Sequence, residues 1–158
     1  MKREALRQEL EKELSGKIQV FDNLKQMSPA LRDFSDAFAL VDALKNPQAI
    51  GKFVNQTLIA LRNLYRDWKG SRTYQEIILA ILLLASWKDM EQVTESEHYR
   101  LKRIGEPFAE VYGTFLILFA DGDFEERLKG GETFKAILKD EAKKMIKEEY
   151  RKQCVYRL

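Results

Sequence analysis

Five cationic side chains recur every four residues towards the end of the sequence and form the strongest candidate for a binding surface. They are Lys135, Lys139, Lys143, Lys147 and Arg151. On a helix this spacing makes one basic row with steps of about 6 Å. Like charges so spaced cost a helix roughly 0.2–0.5 kcal/mol per pair, so a partner-binding face is one hypothesis. The favoured alternative is a solvated face, in which Asp140, Glu148 and Glu149 neutralise nearby lysines.

A second cluster mixes cations with aromatic side chains. Its cationic members are Arg62, Arg66, Lys69 and Arg72, and its rings are Tyr65, Trp68 and Tyr74. Arginine beside exposed rings can bind phosphates and stack bases, which predicts contact with nucleic acid. However, Tyr65 and Trp68 continue the apolar face of their helix. The favoured interpretation therefore places both rings in the core, with Arg62 and Arg66 at its wet edge.

The single histidine, His98, stands three residues after Glu95. This Glu-x-x-His spacing occurs in helical-bundle di-iron sites, which need two such motifs and two further glutamates. One copy of this sequence supplies half of that set, so an exposed histidine at a helix start is the favoured interpretation. One histidine and one cysteine, Cys154, also disfavour a Ser-His-Asp or Cys-His catalytic site.

Residues 121–132 have acids at positions one, three, five and twelve of the calcium-binding helix-loop-helix pattern. The match fails at position six, where that loop needs glycine for a sharp turn and Glu126 stands instead. Glycines at positions ten and eleven would also weaken the exiting helix. We therefore predict a short helix at residues 124–128, with calcium binding as the alternative.

The elements that must position these side chains are predicted to be helices. Residues 77–85 are apolar at every position, and a helix that is apolar all round has to be buried on all sides. The run falls well short of the roughly 20 apolar residues that cross a bilayer. It therefore predicts a buried central helix at about residues 74–90.

Short local signals predict where other helices begin. A capping side chain followed by proline is one such signal, and a capping box is another. The signals are Ser28-Pro29, Asn46-Pro47, Pro107, Thr73-x-x-Glu76 and Thr94-x-x-Glu97. Gly16 and Gly70 are predicted helix ends, and the last helix is predicted over about residues 133–153.

Composition limits the class of protein. A chain of 158 residues suits one domain, and 45% hydrophobic with 33% charged residues excludes a disordered chain and a membrane protein. With 8 Gly and 3 Pro, the sequence is poor in the turns of an all-β fold. We predict an all-α fold, a single domain over residues 1–158 with about six to eight helices around the central helix.

Function is less constrained than fold. The sequence has no phosphate-binding glycine loop, CxxC pair or HExxH helix, so an enzyme is unsupported and no cofactor is expected. The favoured hypothesis is a scaffold, adaptor or assembly subunit that binds a protein partner or a second copy. The apolar residues Val155, Tyr156 and Leu158 could dock there. The alternative is a nucleic-acid-binding protein or ribonucleoprotein subunit, although a formal charge of only +2 does not specify that partner.

The first residues are charged and lack the apolar core of a signal peptide. We therefore expect a cytoplasmic protein without a membrane partner.

A single domain predicts one cooperative thermal transition, because small single domains unfold in an all-or-none manner. Differential scanning calorimetry of the whole chain should show one peak whose calorimetric and van't Hoff enthalpies agree. Two resolved peaks would contradict the single-domain prediction.

Overall fold

The computed structural model describes residues 2–46, 48–67, 71–119 and 123–157, with side chains as far as residue 153. Within these ranges the chain forms ten α-helices, one short 3-10 helix and no strand, which confirms the all-α prediction. The predicted six to eight helices is approximately right, because breaks at Ser86 and Glu97 divide stretches predicted as continuous helix. Contacts between Cα atoms divide the chain into two compact units, an N-terminal unit (residues 2–87) and a C-terminal unit (residues 88–158). The single cooperative domain stays a prediction.

The N-terminal unit is built around its last helix. Its described helices are α1 (Arg3–Gly16), α2 (Ile18–Met27), a 3-10 helix (Pro29–Leu31), α3 (Ala37–Lys45), α4 (Gly51–Asp67) and α5 (Arg72–Ala85). Helix α5 contacts α1, α2, α3 and α4. Seven of its side chains are buried, so the apolar run forms the predicted buried central helix of this unit.

Helix α5 is shorter than predicted and begins differently. It ends at Ala85, because Ser86 leaves helical geometry with φ −102° and ψ 5°, and a new helix starts at Trp87. The predicted capping box at Thr73 is wrong, since the N-cap residue is Ser71 and Thr73 lies inside the helix. Glu76 instead accepts a hydrogen bond from Arg72 Nε at 2.7 Å.

Other helix starts divide between confirmed and wrong predictions. Pro107 begins a helix as predicted, and the Glu106 carboxylate accepts hydrogen bonds from the next two backbone N–H groups after the proline. The box at Thr94 is wrong, because this hydroxyl donates to the Met90 carbonyl inside a helix, a bond that competes with capping. Ser28-Pro29 starts only the 3-10 helix, whereas α3 begins at Ala37 after the N-cap residue Asp36, a cap that the prediction missed. Pro47 and Gly70 lie outside the described residues.

The C-terminal unit is held together by its last helix and a cluster of aromatic rings. Its described helices are α6 (Trp87–Ser96, starting one residue before the unit), α7 (His98–Lys102), α8 (Pro107–Leu118), α9 (Asp123–Lys129) and α10 (Phe134–Arg157). Helix α10 contacts α8 and α9, and α7 contacts α8. Four rings meet edge to face with centroids 4.8–5.9 Å apart, a geometry that the ring quadrupole favours. They are Phe115, Phe119, Phe124 and Phe134.

Helix α9 decides between the two interpretations of residues 121–132. Residues 123–129 are helical, with Phe124 and Leu128 buried, so the predicted short helix is confirmed and the calcium loop is wrong over this part. Asp121 and Gly122 lie outside the described residues. Among the helices described, none combines the length and apolar character needed to cross a bilayer.

Truncation of a buried α5 side chain tests this architecture. Ile81 is 0% exposed and Ile50 is 74% exposed. Ile81→Ala should lower the free energy of unfolding by about 2–5 kcal/mol, because it leaves a cavity in a packed core. Ile50→Ala is the matched control and should change that free energy by less than about 0.5 kcal/mol. Urea denaturation followed by circular dichroism measures both. Equal costs for the two variants would contradict the central position of α5.

Candidate functional site

Helix α10 separates apolar and cationic side chains into parallel rows. The buried row consists of Phe134, Leu138, Ala142 and Ile146, each at most 6% exposed. The basic row follows one residue later at every step, about 100° further round the helix. Each four-residue step also turns both rows by about 40°, so their angular offset stays constant. The five cations therefore form a winding row about 24 Å long, which turns through about 160° between Lys135 and Arg151.

The side chains of the basic row are accessible along most of this length. Lys139 is half-buried, and the other four residues, Lys135, Lys143, Lys147 and Arg151, are exposed. No acidic residue interrupts the row, because the acids of α10 stand at other register positions. The structure thus brings all five predicted residues of this cluster together.

The acids of α10 are drawn away from the basic row by other cations. Arg127 on α9 binds Glu132 at 2.8 Å, Asp140 at 3.0 Å and Glu141 at 3.1 Å. Lys144 also pairs with both of those α10 acids, at 3.7 and 3.3 Å. The hydrogen bond from Arg127 lowers the pKa of Glu132, against a smaller opposing effect of burial.

Four of the five cations of the row form no ion pair in the described part of the chain, although the charge of Lys135 acts on Asp89. In the described part of the chain, Lys135, Lys139, Lys147 and Arg151 have no carboxylate oxygen within 4.0 Å. Two of the predicted pairs do form, Lys144 with Asp140 at 3.7 Å and Lys152 with Glu149 at 3.4 Å, so the predicted solvated, ion-paired face is present at these two lysines. Neither pair includes a residue of the row, and binding of a partner by the row stays a prediction.

A buried carboxylate connects the basic row to a second group of cations. Glu97, only 6% exposed, has one oxygen 4.0 Å from Lys143 Nζ and the other 3.6 Å from Arg100 Nη1. Arg100 belongs to α7, where Leu101 is the buried side chain. The exposed side chains around it form what we call the α7 face, consisting of His98, Tyr99, Arg100, Lys102 and Arg103.

Sequence reasoning missed the α7 face. The signal was present as Tyr99-Arg-Leu-Lys-Arg103, an aromatic residue followed by three cations within four positions. The only hypothesis drawn from this segment was the pairing of Glu95 with His98 in a Glu-x-x-His motif. That motif is not on one helix, since α6 ends at Ser96 and α7 starts at His98. Among the residues described, no three histidine, cysteine or acidic side chains are placed to hold a metal ion.

The predicted cluster in the N-terminal unit does not form one surface. Arg62 is 3% exposed, so it lies in the core and not at a wet edge. Arg66 is exposed and donates to Asn63 at 3.0 Å, while the Arg72 side chain, 92% exposed, pairs with an acid of its own helix. Lys69 and Trp68 lie outside the described residues, as do the side chains of Val155 and Tyr156 and the whole of Leu158. Binding by this cluster stays a prediction for Arg66 and Arg72.

Two carboxyl groups of the C-terminal unit have a raised pKa. Burial raises the pKa of Asp89, and the charges of Lys135 and Lys88 oppose that rise. Burial also raises the pKa of Glu110, and repulsion from Glu149 and Glu106 adds to it. The charge of Lys135, the first cation of the basic row, therefore acts on Asp89.

The chemistry open to this surface is anion binding. Ammonium groups bind phosphates as point charges, and guanidinium groups bind them through a fork of parallel hydrogen bonds. An exposed ring such as Tyr99 adds a flat apolar face. Protein-family models, curated proteins and solved structures contain no match to this chain.

Loss of Arg127 should destabilise the chain in a pH-dependent way. Because Arg127 lowers the pKa of Glu132, the stabilisation is full above the usual carboxyl value of 4.5 and is lost as pH falls below it. Arg127→Met should therefore lower the melting temperature at pH 7, and the difference from wild type should shrink below pH 4.5. Thermal melts across this pH range measure the effect.

Lys129→Met is the matched control on the same helix. Lys129 is exposed and pairs with Glu125 one turn earlier at 3.3 Å, a contact of small energetic value. Its melting temperature should stay close to wild type at every pH. A change in Arg127→Met that is equally small would show that this arginine does not organise the acids of α10.

Proposed function

We propose that this protein binds nucleic acid through the basic row of α10, with the α7 face beside it. The observation that supports the proposal is that Lys135, Lys139, Lys147 and Arg151 form no ion pair in the described part of the chain. Acids are available on the same helix, but Arg127 and Lys144 bind two of them. The fold thus maintains a cationic strip instead of neutralising it.

Binding of a polyanion reduces the repulsion between neighbouring cations of the basic row. Adjacent cations of the row repel each other at about 6 Å spacing, by roughly 0.2–0.5 kcal/mol per pair. Phosphates laid along the row remove that repulsion and release the counterions condensed on the nucleic acid. This is the sequence-independent component of nucleic-acid binding, and it requires neither a catalytic group nor a cofactor.

The formal charge of the C-terminal unit limits the area over which a nucleic acid binds. Residues 88–158 contain 14 Lys and Arg against 15 Asp and Glu, a net charge of −1. A nucleic acid that covered the unit widely would meet as many acids as bases. Binding is therefore confined to the row and the adjacent α7 face, where the cations are concentrated.

Neutralisation of the row tests the proposal. The triple variant Lys139→Gln, Lys147→Gln and Arg151→Gln removes three phosphate contacts without adding negative charge. Fluorescence anisotropy with labelled single-stranded RNA should show weaker binding at low salt. The slope of log affinity against log salt should fall by about 2 in magnitude, since each single-strand phosphate contact contributes about 0.7.

A control triple variant separates location from net charge. Lys2, Lys12 and Lys52 are exposed residues of the N-terminal unit, and their replacement by Gln makes the same change in net charge. This variant should bind RNA with nearly wild-type affinity and slope. Equal losses in the two triple variants would show that net charge alone drives binding, and the absence of wild-type binding at low salt would refute the proposal.

A second candidate function is self-association, which the apolar surface of α8 favours. Ile117 is 69% exposed beside a groove of about 190 Å³ that also includes Leu118 and Met145. Lys144 and Glu148 give the edge of this groove both signs of charge. In an interface between two copies related by two-fold symmetry, each patch meets the same patch of the other copy and must be complementary to itself. An apolar centre with both signs of charge at its edge meets that requirement.

Sedimentation velocity over a range of concentrations distinguishes this candidate from a monomer. The wild-type chain should form dimers as concentration rises, and Ile117→Glu should abolish them by placing a charge in the apolar contact. Ile50→Glu, at a position 74% exposed in the N-terminal unit, is the matched control and should leave dimerisation unchanged. A wild-type chain that stays monomeric removes this candidate.

A further inference from the structure

Tyr99 presents an aromatic ring to solvent beside the proposed binding surface. Its exposed fraction is 85%, the highest among the large hydrophobic side chains described. Its orientation follows from the burial of Leu101, which is 0% exposed and faces the interior. Tyr99 stands two residues earlier, about 160° round the helix from Leu101, and therefore faces solvent. His98 contacts the ring edge to face, with centroids 5.8 Å apart. One face of α7 is thus an aromatic platform.

Two arginines of the same helix stand close to Tyr99 in the sequence. Arg103 follows Tyr99 by one helical turn and retains helical geometry, so the two lie on the same face. Arg100 is the next residue and has a side chain 63% exposed. Through the buried carboxylate of Glu97, Arg100 is connected to Lys143 in the basic row. Glu97 therefore links one cation of α7, next to Tyr99 in the sequence, with one cation of α10.

We infer that the preferred ligand is a single strand of RNA or DNA, with Tyr99 stacking on an unpaired base. This inference rests on the proposed function, because the α10 row supplies the phosphate contacts. In a duplex both faces of every internal base are covered by neighbouring bases, so an aromatic side chain has no face to stack on. In a single strand those faces are accessible, and every base has one. Arg100 and Arg103 bind the phosphates on either side of the stacked base.

Three labelled probes of equal length test the inference. The first is a single-stranded RNA of about 12 nucleotides, within the usual site size of single-strand binders. The second is the corresponding duplex, and the third is an abasic strand, which keeps the phosphates and lacks the bases. Anisotropy titrations use the whole chain as wild type, Tyr99→Ala, Tyr99→Phe and the α10 triple Gln variant.

Tyr99→Ala should weaken single-strand binding roughly tenfold. Its salt slope should equal that of wild type, because no phosphate contact is lost. Binding of the duplex and of the abasic strand should not change. Tyr99→Phe should retain wild-type affinity, since the ring is sufficient for stacking. Circular dichroism should show an intact fold, because this side chain is exposed.

The variants separate failure of this inference from failure of the proposed function. If the α10 triple variant weakens binding of all three probes while Tyr99→Ala changes none, the stacking inference is overturned and phosphate binding stands. If the α10 triple variant weakens none, the proposed function fails and the inference fails with it. Displacement of the single strand by poly-L-glutamate at equal charge would identify an acidic protein surface as the ligand class and also overturn the inference.

Discussion

The surface of the C-terminal unit depends on the burial of one apolar row of α10. This row includes Leu138, Ala142 and Ile146, each at most 2% exposed. Packing of this row against α8 fixes the rotation of α10 about its axis. The residue after each buried position then has one direction available, about 100° round the helix. The cations in those positions need no contacts of their own to be aligned.

Arg127 has an effect on this surface although it lies outside the basic row. Its side chain is 20% exposed, and its guanidinium group binds three carboxylates from α10 and the segment before it. Charge-assisted hydrogen bonds of this kind are stronger than exposed pairs between flexible side chains. Asp140 and Glu141 therefore stay with Arg127, and Lys139 and Lys147 of the row form no ion pair in the described part of the chain. The ion-pair network and the proposed binding surface are in this way two results of one distribution of charge.

Periodicity predicted the helices and the alignment of the row well, because both depend on spacing along a single element. The ends of helices were predicted less well. Thr73 and Thr94 fit the capping pattern, yet tertiary packing placed both inside helices. Burial of Arg62 was also missed, since hydropathy cannot show that a charged side chain is covered by other helices. The choice of partners by Arg127 depends on contacts between α9 and α10, which local sequence patterns do not contain.

The near balance of 14 basic and 15 acidic residues in the C-terminal unit has a kinetic consequence. With a net charge close to zero, the unit as a whole attracts a polyanion only weakly. Under the proposed function, the attraction that raises the rate of encounter comes from the local concentration of cations along α10. Because ions screen it over about 10 Å at 0.1 M ionic strength, salt acts on the association rate as well as on the lifetime of the complex.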